Sequence, residues 1–238
     1  MANVAARRAG ALAGHLAPEG AGGAAVGAVG RAAAGAGRLL GGEVAVITGA
    51  GRGIGEAAAK LFAAAGAKVV VSDVDGLRTD AVCRAIVAAG GTAVGCPGDV
   101  TDPAFPKRVM ERCKTAFGAL TILVNNAGYT WDGVVHKTED AQWQAMLDVH
   151  CTAPFRLIQA AEPLMRQAAK REIAEQGFAR RRTVINVSST SGVHGHAGQA
   201  NYATAKAGVV GLTKALAKEW GQVSGDRHRS LRFGRGLT

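Results

Sequence analysis

The sequence has no apolar run of the roughly 18 residues that a membrane-spanning helix requires, so a protein without a membrane span is predicted. Cysteines are few, and they form neither a CxxC pair nor a zinc-binding pattern: Cys83, Cys96, Cys113 and Cys151. Widely spaced cysteines of this kind indicate reduced, mostly buried thiols rather than a disulfide framework.

Aromatic residues are not interleaved with the basic ones, although the formal net charge is +10. The basic residues fall in three separate stretches, at the N-terminus, between Arg166 and Arg182, and in the C-terminal tail. Nucleic-acid binding normally needs one basic stripe or patch, so nucleic acid is not a predicted partner. His194 and His196 form an HxH pair without a third ligand nearby, so no metal site is predicted.

The first 41 residues differ from the rest because they are mostly alanine and glycine. They contain four arginines but a single acidic residue, Glu19. Such a segment has little to bury, which predicts a disordered extension. An arginine-bearing, acid-poor N-terminus also fits a transit peptide. Two locations therefore stay open: the cytoplasm, or a mitochondrion or plastid.

From Gly42 to Trp220, short β-branched runs alternate with helical patterns, which predicts a domain over residues 42–220. Strands are expected at 43–48, 68–72, 92–96, 120–124 and 183–187, and helices at 53–65, 77–89, 103–117, 139–169 and from about Asn201. This alternation is typical of an α/β fold with a doubly wound, Rossmann-like parallel sheet in the order 3-2-1-4-5. Ligands would bind at the carboxyl ends of its strands.

A glycine-rich turn separates the first strand from the first helix. The sequence GAGRGIG contains Gly49, Gly53 and Gly55 in a GxxxGxG spacing. Glycines let the backbone turn tightly and approach a pyrophosphate, and the helix that follows directs its first amides at the phosphates. The turn, with Arg52 and Ile54 inside it, is therefore a predicted dinucleotide site.

Asp73 follows the second strand directly, about 20 residues beyond these glycines. A carboxylate there can accept hydrogen bonds from the adenosine ribose and would repel a 2′-phosphate, which favours NAD over NADP. Arg52 argues the other way, because a basic residue in the glycine loop can meet that phosphate. The cofactor is thus NAD or NADP, with NAD favoured. Asp73 could instead be a helix cap or turn residue.

Tyr202 and Lys206 are four residues apart on the last predicted helix, so they lie on one face of it. A lysine ammonium close to a phenol favours the phenolate, which makes an acid/base group for neutral pH. The hydroxyl of Ser189 could hold a substrate oxygen beside that phenol. Together the three residues suit the interconversion of a ketone and an alcohol.

With the glycine turn, SSTSG followed by GQANYATAKAG resembles the classical short-chain dehydrogenase/reductase family, and most closely its 3-oxoacyl-acyl-carrier-protein reductase branch. The resemblance covers roughly residues 42–220. It implies that TGAGRGIG is the cofactor motif and that Lys206 and Tyr202 also contact the cofactor. It further implies that Asn126, Ala127 and Gly128, in the NNAG turn, line the cofactor site.

The family pattern also assigns two less certain positions. Asp99 and Val100 match an adenine-contacting position, although Asp99 could simply form an Asx turn. His150 stands where the family has its fourth catalytic residue, an asparagine. An imidazole there could relay a proton, or it could be a packed helix histidine.

The resemblance implies a homo-oligomeric oxidoreductase that moves a hydride between a nicotinamide cofactor and a carbonyl carbon, with a 3-oxoacyl thioester as the expected substrate. The substrate could be linked to acyl-carrier protein or coenzyme A. The basic segment from Gln167 to Arg182 would be a solvated loop or a dock for such a carrier. Two alternatives stay open: an NAD-dependent secondary-alcohol or hydroxysteroid dehydrogenase, and a catalytically impaired cofactor-binding or interaction protein.

Beyond Trp220 the resemblance ends. The family continues with a sixth strand, a Pro-Gly turn, a substrate-loop helix and a seventh strand, whereas residues 221–238 form a basic tail with little periodicity. The sequence therefore predicts that these last strands are missing, as in a truncated product.

Overall fold

The computed structural model describes residues 38–221 and the backbone of residues 231–233. In chain order the elements are β1 (Val44–Thr48), α1 (Gly53–Ala64), β2 (Lys68–Ser72), α2 (Gly76–Ala88), β3 (Thr92–Gly95), α3 (Phe105–Phe117), β4 (Ile122–Asn125), α4 (Asp140–Leu147), α5 (Ala153–Glu162), α6 (Ala168–Gln176), β5 (Arg182–Asn186), α7 (Ser191–His194), α8 (Ala200–Gly221) and β6 (Leu231–Phe233).

The strands form one sheet in the order β3-β2-β1-β4-β5-β6. All neighbouring pairs are parallel, so the predicted α/β class and the order 3-2-1-4-5 are confirmed. The register aligns Thr48 with Ser72 and Asn125 with Asn186. The segments that follow β1, β2, β4 and β5 therefore leave the sheet at the same edge, which is where ligands bind in open parallel sheets.

A sixth strand is present, so the prediction that the tail supplies none was wrong. Leu231–Phe233 pairs in parallel with β5, with Leu231 opposite Arg182. Strand addition to a sheet edge depends on backbone hydrogen bonds, so three residues can join without the side-chain periodicity that the prediction required. The rest of the predicted tail from 222, and residues 1–37 of the predicted extension, lie outside the described residues.

Alternate side chains of the strands enter two separate cores, one on each face of the sheet. Ala45 and Ile47 of β1 pack with α1 and α2. Val44 and Val46 of the same strand pack in a larger cluster that includes Leu157 of α5. Burial on both faces explains why the strands read as continuous apolar runs.

The long helix predicted over 139–169 begins at Asp140, and its helical path continues to Gln176 through two π-helical turns. These turns cover Asp148–Thr152 and Pro163–Gln167. Pro154 follows the first turn closely and Pro163 begins the second, and a proline lacks the N–H that a regular helix uses. The first π turn contains His150, and π turns are frequent at functional sites.

The basic segment predicted as a solvated loop is largely ordered structure. Residues 168–176 form α6, and Arg182 is almost fully buried, with its guanidinium 2.6 and 2.9 Å from the two Glu172 oxygens. The Arg182 hydrogen bond lowers the pKa of the Glu172 carboxyl. Arg180 donates to the Gly42 carbonyl just before β1, so this segment lies at the amino edge of the sheet, away from the strand ends that bind ligands.

Two further features complete the fold. Within the described part of the chain, every helix is too short or too polar to cross a bilayer. The four cysteines are free thiols, Cys96 and Cys113 buried and the other two half-buried. Burial raises the pKa of Cys113 to about 12.

Candidate active site

A cleft of about 1090 Å³ opens at the carboxyl edge of the sheet. Every residue predicted above for catalysis or cofactor binding lines this cleft. The residues come from the segments after β1, β2, β3, β4 and β5, from the π turn of His150, and from the start of α8. The parallel register accounts for their convergence, since it brings the ends of all these strands to one edge.

The glycine turn is shaped so that backbone, rather than side chains, faces the cleft. Gly49 has a left-handed φ of 62°, and a Cβ on it would lie 2.7 Å from the Cα of Ala127. A Cβ on Gly55 would collide with the Gly49 carbonyl oxygen. No side chain caps α1 at Arg52, so its first amides can serve an anion. These residues fit a dinucleotide pyrophosphate.

Asp73 holds the glycine turn through its carboxylate. One oxygen accepts the Gly51 N–H at 3.0 Å, and the other accepts the Asp75 N–H at 3.1 Å. A carboxylate has about four lone-pair sites, so this half-buried group retains acceptor capacity toward the cleft. Asp75, rather than Asp73, caps α2, by accepting the Arg78 N–H.

Asp99 forms the predicted Asx turn and also lines the cleft, and its contact with an adenine stays a prediction. One of its carboxylate oxygens accepts from the N–H and the hydroxyl of Thr101, each at 2.8 Å. Val100 beside it is buried. The turn fixes the loop after β3 at the mouth of the cleft.

The NNAG turn is tied to the end of β1 by a residue that sequence reasoning left without a role, Thr48. The Thr48 hydroxyl accepts the N–H groups of Asn126 and Ala127, each at 3.1 Å. The Asn126 side chain donates back to the carbonyls of Thr48 and Gly49. Thr48 is the last residue of β1 and directly precedes the glycine turn, and this position in the sequence could have indicated its role.

Lys206 is 5% exposed, and its ammonium donates to the Val187 carbonyl at 2.7 Å. The nitrogen lies 5.6 Å from the centroid of the Tyr202 ring. Burial lowers the pKa of Lys206 to about 8.

The two serines that end β5 have different contacts. Ser188 is buried and donates to the Lys206 carbonyl at 2.9 Å, which holds α8 against the strand. The Ser189 hydroxyl accepts the Ser191 N–H at 3.2 Å, so its own hydrogen remains available as a donor to the cleft.

His150 is buried between the NNAG turn and α8. Its Nε2 lies 2.8 Å from the Tyr129 carbonyl, and its ring meets the Tyr202 ring edge-on at 5.0 Å. Burial, and then the charge of Lys206, lowers the pKa of His150 to about 3. The imidazole is therefore neutral at physiological pH, with Nε2 as the donor to the carbonyl. A Cβ on Gly128 would collide with this ring, so glycine is required beside it.

A family model described as short chain dehydrogenase matches residues 43–224. The chain belongs to this family. The cleft described above lies at the carboxyl edge of the parallel sheet, where open sheets of this kind bind their ligands.

The chain is similar in sequence to two proteins that carry different names. It is 38% identical over 178 residues to the 3-oxoacyl-(acyl-carrier-protein) reductase FabG of Escherichia coli, a match that covers 75% of this chain and 67% of that protein. It is 41% identical over 187 residues to the peroxisomal multifunctional enzyme type 2 of Drosophila melanogaster, but spans only 29% of that protein.

A crystal structure of a short chain dehydrogenase from Mycobacterium avium is also similar. It superimposes with a TM-score of 0.71 at 36% sequence identity, covering 78% of this chain and 65% of that one. The short-chain dehydrogenase resemblance predicted from the motifs is thus confirmed, together with the fold.

Proposed function

We propose that the chain reduces 3-oxoacyl thioesters with NADH. One observation carries the proposal: Ser189, Tyr202 and Lys206 line the same cleft as the glycine turn. The name of the E. coli relative supports the substrate class. The chain spans only part of the length of these relatives, so the 3-oxoacyl substrate is part of the proposal.

In this proposal the substrate carbonyl lies between Ser189 and Tyr202. The Ser189 hydroxyl donates a hydrogen bond to its oxygen, and the Tyr202 phenol gives that oxygen a proton as the carbon is reduced. Lys206 supplies the positive charge that favours the phenolate left behind. The nicotinamide, when bound, supplies the hydride.

The remaining predicted residues would hold the cofactor. The amides of Gly53, Ile54 and Gly55 would meet the pyrophosphate, and Lys206 and Tyr202 would contact the nicotinamide ribose. Asp99 and Val100 would border the adenine. His150 would keep the Tyr202 ring in place on the side away from solvent.

The preference for NADH rests on Asp73. Its carboxylate is fixed by two backbone N–H groups at the end of β2, where the adenosine ribose would bind. A 2′-phosphate would face this fixed negative charge. Arg52 and Arg78 also line the cleft, but Arg78 pairs with Asp75 at 3.3 Å.

The Tyr202→Phe variant tests the proposal. We expect turnover of an acetoacetyl thioester to fall by about 100-fold or more, the usual contribution of a general acid, while NADH binding is retained. Tyr129→Phe, at the only other tyrosine of the chain, is the control and should lose far less. Equal turnover in wild type and Tyr202→Phe would contradict the role.

An NAD-dependent secondary-alcohol or hydroxysteroid dehydrogenase is the second candidate, and Asp73 favours it equally. Oxidation of secondary alcohols without thioester reduction would support that reading. A folded chain that binds NADH but turns over neither substrate class would support the third reading, a catalytically impaired cofactor-binding protein.

A further inference from the structure

Two loops beside the cleft are hydrogen-bonded to each other, and Tyr129 and Thr130 of the first one line the cleft. The first is residues 129–133 after β4, and the second is residues 195–199 before α8. The Gly133 N–H donates to the Gly198 carbonyl at 2.7 Å, and Gly133 pairs with Gln199 in a parallel bridge. The Gln199 amide also reaches the Asp132 carboxylate at 3.2 and 3.3 Å.

Behind these loops lie two buried side-chain amides that the sequence analysis did not identify, Gln142 of α4 and Asn201 of α8. Gln142 is 7% exposed, and its Nε2 donates to the carbonyls of Trp131 and Asp132 at 2.7 and 2.9 Å. Asn201 is 1% exposed, and its Nδ2 donates to the Trp131 carbonyl at 3.0 Å.

The Asn201 side chain also reaches Tyr202 directly. Its Oδ1 accepts the Tyr202 N–H at 2.8 Å, and its Nδ2 makes a second, longer bond of 3.4 Å to the Gln142 carbonyl. One amide group therefore joins the first loop, α4 and the first turn of α8. Through the Tyr202 N–H, this amide group holds the backbone of the residue that carries the phenol.

Burial makes these contacts specific. A buried amide group left without a hydrogen-bond partner is destabilising, so Gln142 and Asn201 favour the one arrangement in which their donors reach the loop carbonyls. The other end of the first loop is held by His150 at the Tyr129 carbonyl. The loop is thus held at Tyr129 by His150 and at Trp131 and Asp132 by the two amides.

We propose that Gln142 and Asn201 are positioning residues that lock the 129–133 loop to the start of α8 and so hold Tyr202 in line with Ser189. The inference rests on the proposed role of Tyr202. It implies that Tyr202 is in its working position before substrate arrives, so that loss of the lock lowers kcat more than it weakens binding.

The test uses two variants of Gln142. Gln142→Glu keeps the shape of the side chain but places a carboxylate oxygen against the Trp131 and Asp132 carbonyls, which is repulsive. Gln142→Met only removes the two hydrogen bonds. We expect kcat with the acetoacetyl thioester to fall by about tenfold or more, with NADH affinity and KM much less affected. Gln159→Glu, at an exposed position on α5, makes the same charge change and should behave as wild type.

Hydrogen exchange gives a readout without substrate. Amides in peptides covering 129–138 and 196–204 should exchange faster in both Gln142 variants, while those of β1 and α1 stay as in wild type. If wild type has no turnover but the exchange pattern appears, the proposed function fails and the lock stands. Unchanged exchange in these peptides, or turnover at the wild-type level, would overturn the inference.

A second variant guards against a misfolded Gln142→Glu protein. Asn201→Ser keeps a side-chain oxygen but loses the amide that donates to the Trp131 and Gln142 carbonyls. The same local increase in exchange and the same kcat loss are expected. Faster exchange throughout the chain, rather than in the two peptides, would mean that these amides stabilise the whole fold and would reject a positioning role.

Discussion

At the scale of single residues, two buried ionisable groups set the electrostatics of the site. His150 and Lys206 are 3% and 5% exposed, and burial disfavours the charged form of each. They also repel each other when both are charged. Because the His150 pKa lies near 3 and the Lys206 pKa near 8, between those values the lysine carries the charge and the imidazole stays neutral.

His150 should make the fold sensitive to acid. Its pKa is about 3 in the folded chain against 6.5 for an exposed histidine, so the unfolded chain takes up a proton as pH falls through 6.5 and the folded chain does not. Stability is therefore complete above pH 6.5 and is lost below it, by roughly 2 kcal/mol by pH 5. Urea unfolding at several pH values measures this loss.

The matched variant is His150→Asn, which has no titrating ring. Whatever packing it loses is independent of pH, so the difference between wild type and variant should shrink as pH falls from 6.5 to 5. Parallel stability curves for the two proteins over this range would show that His150 titrates normally and is not buried as described.

Lys206 should change the stability of the fold at alkaline pH. Its pKa is about 8 when folded and 10.5 when exposed, so between these values the unfolded chain holds a proton that the folded chain has lost. The free energy of unfolding attributable to Lys206 should rise by up to roughly 3 kcal/mol from pH 8 to 10.5. The cofactor-free protein and Lys206→Met should be compared, and a difference that stays constant would contradict the burial.

At the scale of elements, the turn between β1 and α1 depends on close backbone approach. Gly55→Ala would place a methyl group against the Gly49 carbonyl and the Asn126 amide. We expect a loss of about 1–3 kcal/mol in unfolding free energy, as in other overpacked sites, and weaker NADH binding because the turn must shift. Urea unfolding and NADH titration measure the two effects.

Gly211→Ala is the control for that change. Gly211 lies exposed in the middle of α8, and nothing stands within 4 Å of a Cβ added there. Alanine at such a helix position should stabilise the chain by about 0.5–1 kcal/mol. Equal effects of the two substitutions would mean that the turn has more room than its geometry indicates.

Elements also differ in how well local sequence predicted them. The five strands and the helices between them were predicted because buried parallel strands and amphipathic helices have different apolar periods. The π turns beside Pro154 and Pro163, and the extension of the helix to Gln176, were not. An apolar face continues through such turns, so its period carries no clear sign of the changed hydrogen bonds.

At the scale of the whole molecule, cofactor binding should couple to stability. A ligand at 100 times its Kd adds about 2.7 kcal/mol to the folded state, which for a chain of this size raises Tm by about 5–10 °C. We expect NADH to produce a larger shift than NADPH at equal concentration. Differential scanning fluorimetry with both cofactors in parallel gives the comparison.

Asp73→Ser should narrow the difference between the two cofactors, because it removes the negative charge that would face a 2′-phosphate. Asp80→Ser makes the same charge change on the exposed side of α2, outside the cleft, and should leave the preference as it is. A larger shift with NADPH in wild type would overturn the NAD assignment and point to Arg52 and Arg78 instead.

The sequence by itself determined the class of fold, the strand order over the first five strands, and a set of site residues that all line one cleft. It did so because strands, glycine turns and the Tyr202–Lys206 pair are local features, readable from spacing within a few residues. Their predicted roles in catalysis and cofactor binding follow from chemistry and await the measurements above.

Only the tertiary structure decided which residues hold the site together. Thr48 meets the NNAG turn 78 and 79 positions away, Gln142 meets Trp131 from another element, and Arg182 enters the interior because Glu172 lies opposite it. The sixth strand likewise forms where β5 offers a free edge. Such contacts join distant segments through buried hydrogen bonds, and no local pattern of residue types specifies the partner.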